Sequence, residues 1–74
     1  MRLLIVEDHR ELARQLSQQL SDQGHTVDVV GDAAAALAAA PRGGYDVVLL
    51  DRMLPDEDGL VVCRKLREEF GLPD

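Results

Sequence analysis

The 74-residue sequence contains no tryptophan, one tyrosine and one phenylalanine. It therefore offers no aromatic platform on which nucleic-acid bases could stack. Its single cysteine, Cys63, excludes an internal disulfide and any cysteine-built zinc cluster, and suits a reducing, cytoplasmic setting. Basic residues are few: eight Lys and Arg stand against fourteen acids, for a net charge of −6. A surface that acidic repels phosphate backbones and anionic lipid, so neither direct nucleic-acid binding nor membrane binding is expected of this segment. No apolar run approaches the roughly 20 residues that span a bilayer. The apolar stretch Leu3–Val6 is too short for a signal-peptide core, and Glu7-Asp8 follow at once. What is present is an ordinary globular mixture, 46% hydrophobic and 30% charged, in a length that allows one small domain.

The hydrophobic pattern divides into three strand–helix units. Leu3–Val6 is continuously apolar, as a strand buried on both faces is. From His9 to Gln23, Leu12, Ala13, Leu16 and Leu20 recur at helical spacing, and Gly24 supplies a left-handed stop. Thr26–Val30 is a short β-branched strand. Asp32 caps an alanine-rich helix running to Ala40, where the alanines allow close packing, and Pro41-Arg42-Gly43-Gly44 reads as a turn. Tyr45–Leu50 is a third strand, and its apolar run Val47-Val48-Leu49-Leu50 reads as a second strand buried on both faces. Residues 51–58 form a polar loop that contains Pro55, with Asp56-Glu57-Asp58 solvated and Asp58 as a cap. A third helix runs from Gly59 to about Glu69, with Val62, Cys63, Leu66 and Phe70 on one face and Cys63 as a small buried hydrophobe, until Gly71-Leu72-Pro73-Asp74 breaks it. Units of roughly 25 residues in this order imply right-handed crossovers and a parallel α/β sheet.

Two of these strands end in acids: Glu7 and Asp8 after the first, Asp51 after the third. Ligands of open parallel sheets bind beyond the carboxyl ends of the strands, where the winding reverses. If the first and third strands are neighbours, all three acids converge on one crevice. Like charges at such range repel strongly, so either some of the acids are protonated or a cation lies among them. An all-oxygen, partly open site suits Mg²⁺, which keeps several waters and bridges to phosphoryl groups. Blander roles compete. Asp8-His9-Arg10-Glu11 reads equally as a capping box, Glu7 as a solvated loop acid, and Asp51 as a strand-end turn residue. His9 is either a neighbour that tunes the acids or a solvated residue at the helix start, and His25 sits alone in a turn.

Glu7-Asp8 after a short apolar strand, Val48-Leu49-Leu50-Asp51, Met53-Leu54-Pro55 and Asp58-Gly59-Leu60 together resemble the receiver domain of two-component response regulators. The resemblance runs the length of the chain in order and spacing. It implies a flavodoxin-like fold, with residues 1–74 as an incomplete receiver holding the first three of five strand–helix units. It implies that Asp51 is the phosphoacceptor and that Mg²⁺ is held directly by Asp8, Asp51 and the Met53 backbone carbonyl, with Glu7 on a metal-bound water. It implies a histidine kinase as phosphodonor, docking on the first helix around Leu12 to Gln19. The loop pattern is also similar to receivers joined to winged-helix DNA-binding domains, so transcription control is expected of a parent protein rather than of this segment. The family's Ser or Thr after a fourth strand and Lys after a fifth have no counterpart here. Arg52 adjoins Asp51 but is expected to point to the other side of the strand end.

Two other readings stand beside this one. A receiver-like module that no longer takes phosphate would only pair with partners. A haloacid-dehalogenase-like phosphatase also uses a strand-end Asp with Mg²⁺, but needs a second Asp two residues later, where this chain has Met53. A further expectation concerns completion. With three units the Tyr45–Leu50 strand would be an exposed edge, and one sheet face would carry only the first helix. The segment is therefore expected to be completed by the rest of a longer chain, by a second copy or by exchanged elements.

Overall fold

The structure, a computed structural model, describes residues 1–51 and 53–70. Three parallel strands, β1 (Arg2–Val6), β2 (Thr26–Val30) and β3 (Val47–Leu50), alternate with three helices, α1 (Arg10–Asp22), α2 (Ala33–Gly43) and α3 (Gly59–Phe70). The sheet order is β2-β1-β3. The chain leaves β1 towards β2 and then returns past β1 to reach β3, so the winding reverses between β1 and β3. The placement of Arg52, the side chain of Phe70 and the helix stop at Gly71-Leu72-Pro73-Asp74 lie outside the described residues.

The unbroken apolar sequence of β1 makes it the central strand, and Leu3 to Val6 are all buried. Alternation sends Leu4 and Val6 to one face, where they join Ala33, Ala36 and Ala40 of α2 and Val62 and Leu66 of α3. The alanine run works there as expected: small side chains let α2 approach the sheet and α3 closely. On the other face α1 packs against β1 and β2. That cover is partial, because Val29 remains 43% and Leu49 39% exposed. β3, expected to be buried on both faces, is half-buried because, among the described residues, it is paired on one side and incompletely covered. The expected bare face is therefore present, and β3 pairs with β1 alone among the described residues.

Three local expectations are corrected. Pro41 lies inside α2, which runs to Gly43 and stops at Gly44 in the left-handed region (φ 60°, ψ 41°). Burial of Ala40 and packing of Ala39 on the core hold this last turn in place despite the missing proline N–H. Tyr45 precedes β3 instead of opening it, and its hydroxyl donates to Asp28 at 2.6 Å. Cys63 is half-buried rather than buried. Gly24, by contrast, takes positive φ (93°) after α1, as its position suggests.

Candidate functional site

Strand register decides which acids meet. Val6 pairs with Leu50, so the next residues on each strand, Glu7 and Asp51, stand opposite each other. The ladders continue through them: the Glu7 N–H donates to Val30 O at 3.0 Å and the Asp51 N–H to Val6 O at 2.9 Å. Both carboxylates are thus fixed by backbone on the central strand and its neighbour, at the reversal of winding. One oxygen from each of Glu7, Asp8 and Asp51 lies within 4.8 Å of the other two. Glu7 and Asp51 are half-buried and Asp8 is exposed.

The competing role for Asp8 is not the one the fold uses. The N-cap of α1 is His9, whose Nδ1 accepts the Leu12 N–H at 3.3 Å. A cap at His9 leaves the Asp8 carboxylate to the acid cluster. Glu7 accepts the His9 N–H at 3.5 Å, a long contact that ties the same turn to the cluster.

Crowding shows in the protonation of the pair. Partial burial, followed by the hydrogen bond to Asp51, raises the Glu7 carboxyl above its ordinary value. The same hydrogen bond, followed by the Met53 N–H, lowers Asp51. The opposite shifts are what two crowded carboxylates produce, one favouring its protonated form and the other its ionised form. Of the two, Asp51 is the acid whose ionised form is favoured, the state a nucleophile needs.

Met53 lies two residues beyond Asp51 and is 81% exposed; its N–H donates to Asp51 Oδ1 at 3.1 Å. Met53 also forms an isolated antiparallel bridge with Asp58, closing the loop that Leu54 plugs into the core. Asp58 caps α3, accepting the Leu60 N–H at 2.8 Å. The two acids before it are not simply solvated, contrary to expectation. Glu57 pairs with Lys65 Nζ at 2.7 Å, and Asp56 accepts the N–H groups of Ala33 and Ala34. Sequence reading missed both because the partners are eight and twenty-three residues away. No short-range pattern encodes them.

The donor set fits a hard divalent cation. All the side-chain ligands are oxygens, as Mg²⁺ and Ca²⁺ require. Oxygens on one Mg²⁺ lie at most about 4.2 Å apart, twice its bond length of about 2.1 Å. A cluster spread over 4.8 Å closes on such an ion by a movement of well under an ångström, or by placing a water on one carboxylate.

The family model described as "Response regulator receiver domain" matches residues 3–73. Among curated proteins, the transcriptional regulatory protein TcrA of Mycobacterium tuberculosis is 46% identical over 69 residues, covering 93% of this chain and 27% of TcrA. The chain thus spans about a quarter of that relative. Among solved structures, the response regulator TrrA of Thermotoga maritima in complex with Mg²⁺-BeF superposes with a TM-score of 0.88 at 31% identity, covering 92% of this chain and 59% of TrrA. TrrA in complex with the histidine kinase ThkA gives a TM-score of 0.87 at 31% identity over the same shares. Sheet order, the paired strand ends and the family match over nearly every residue lead to one conclusion: this chain belongs to the response regulator receiver domain family.

Proposed function

We propose that this receiver accepts a phosphoryl group on Asp51 from the phosphohistidine of a histidine kinase. Asp8, Asp51 and the Met53 carbonyl would hold Mg²⁺, with Glu7 on a metal-bound water. When bound, the ion supplies charge neutralisation between the carboxylate and the incoming phosphoryl group. The observation that carries the reading is the gathering of Glu7, Asp8 and Asp51 within 4.8 Å at the winding reversal. In the transfer, an ionised Asp51 oxygen forms the new P–O bond while the P–N bond to the donor imidazole breaks. The electron pair leaves with the imidazole nitrogen, which takes a proton. The Met53 N–H on Asp51 Oδ1 turns the other carboxylate oxygen towards the phosphorus. The product is a mixed anhydride, labile enough for a transient signal.

The kinase would dock on α1, where Leu12 is exposed. ThkA bound to TrrA is a precedent for such a pairing in a similar fold. Output by the longer protein would be control of transcription, as the name of TcrA suggests. The test is mass spectrometry after incubation with Mg²⁺ and acetyl phosphate. One phosphoryl adduct is expected on the wild type and none on Asp51→Asn. An adduct that persists in Asp51→Asn would overturn the assignment.

A further inference from the structure

The loop that follows β3 is fastened to a helix it does not join. Asp56 lies in the loop between Asp51 and the start of α3, yet its two oxygens lie on the first turn of α2. Oδ1 accepts the Ala33 N–H at 2.9 Å and Oδ2 the Ala34 N–H at 3.1 Å. The N-cap of that helix is already present: Asp32 Oδ1 accepts the Ala35 N–H at 2.7 Å. The first N–H groups of α2 are therefore shared between its own cap and a carboxylate from another part of the chain. A helix needs only the first of these to begin well. The second ties the loop down.

What the loop carries gives that tie its meaning. From Asp51 to Asp58 it is held by the Met53 N–H on Asp51, by Leu54 in the core, by the Met53–Asp58 bridge and by Asp56 on α2. The first and third act at its ends, and Leu54 anchors its middle by apolar packing. Asp56 is the side chain that hydrogen-bonds the second half of the loop to α2, while Glu57 pairs with Lys65 of α3. We propose that Asp56 is a positioning residue, which through this two-pronged bond to α2 sets the path of the loop and so the orientation of the Met53 backbone beside Asp51. It touches neither ion nor phosphoryl group. The proposal rests on the reading of Glu7, Asp8, Asp51 and Met53 as a Mg²⁺ site, and adds a residue to which that reading assigns no role.

The experiment is a Mg²⁺ titration followed by amide NMR shifts on the wild type, Asp56→Ala, Asp56→Asn and Asp32→Ala. Asp56→Ala removes both bonds. Asp56→Asn removes the same charge but keeps one acceptor. Asp32→Ala weakens the same helix terminus without touching the loop. Expected is a roughly three- to tenfold weaker Mg²⁺ affinity in Asp56→Ala, the range that one hydrogen bond's net worth represents. Asp56→Asn should fall between Asp56→Ala and wild type, and Asp32→Ala should match wild type. Hydrogen exchange at the Met53 amide without metal should be faster in Asp56→Ala and unchanged in Asp32→Ala, a readout that survives even a weakened fold. Asp56→Ala with wild-type affinity and wild-type Met53 exchange overturns the proposal alone. So does Asp56→Asn equal to Asp56→Ala, which would reduce the effect to charge, or Asp32→Ala as weak as Asp56→Ala, which would reduce it to helix capping. Absence of any Mg²⁺ response in the wild type overturns the metal site itself, and the positioning role with it.

Discussion

If the acid cluster is a cation site, Mg²⁺ must stabilise the fold, and by an amount that can be worked out. Three carboxylates within 4.8 Å exist as a cluster only in the native state, so the ion binds the folded chain in preference to the unfolded one. At free Mg²⁺ ten times the dissociation constant, such linkage is worth about 1.4 kcal/mol. Unfolding entropy near 2.1 cal/mol/K per residue gives a chain of this length roughly 0.16 kcal/mol/K, so the midpoint should rise by about 9 °C. Thermal melts followed by circular dichroism would read this directly, in buffers of constant ionic strength. Asp51→Asn and Asp8→Asn should each lose most of the rise.

The same titration carries a pH signature with a definite sign. Glu7 is raised by partial burial and by Asp51, so its stability contribution is full below its unfolded value and is lost as pH rises through its folded value. Asp51 is lowered, so its contribution is present above its unfolded value and is lost as pH falls through its folded value. Mg²⁺ competes with the proton on Glu7, so the rise in midpoint should shrink as pH falls through the raised Glu7 value. A rise under about 2 °C at saturation, or an equal rise in Asp51→Asn and Asp8→Asn, would refute the reasoning.

Two further outcomes follow from the core and from the amino-terminal edge of the sheet. Val62 is fully buried among Leu4, Val6 and Leu66; Val62→Ala should cost about 2.5 kcal/mol from two lost methylene equivalents and the cavity they leave. Urea unfolding would measure it, and a loss under about 1 kcal/mol would mean that this core is not close-packed. The hydroxyl of Tyr45, the single tyrosine, is raised first by its hydrogen bond to Asp28, then by burial. Its contribution to stability is full below the ordinary tyrosine value and is lost as pH rises through the folded one. Ultraviolet titration should find a midpoint above that of free tyrosine, lowered by Asp28→Asn; no difference between the two proteins would count against the bond.

Much of the architecture is written in short-range pattern. The continuous apolar stretch Leu3–Val6 marks the central strand because only a strand covered on both faces tolerates that composition. The alanines at 33, 36 and 40 fall on one helical face and are all buried. Gly24 stops α1 as a residue free to take positive φ does. Pattern misled where a local preference was outweighed. Pro41 reads as a turn, but packing of its neighbours on the core keeps it in α2. Asp8 ranks above His9 as a cap, yet the helix starts one residue later and uses the imidazole.

Residue types and their order determined that acids would stand at two strand ends, that the first of those strands would be buried and that both would be parallel. Alternation and helical period are properties of neighbours along the chain, and a sequence displays them openly. Only the tertiary structure decided that Val6 meets Leu50, so that Glu7 faces Asp51, and that Asp56 reaches back to α2. Those depend on register and on contacts between residues more than twenty positions apart. There the free energy comes from the packing of whole elements, and no local pattern records it.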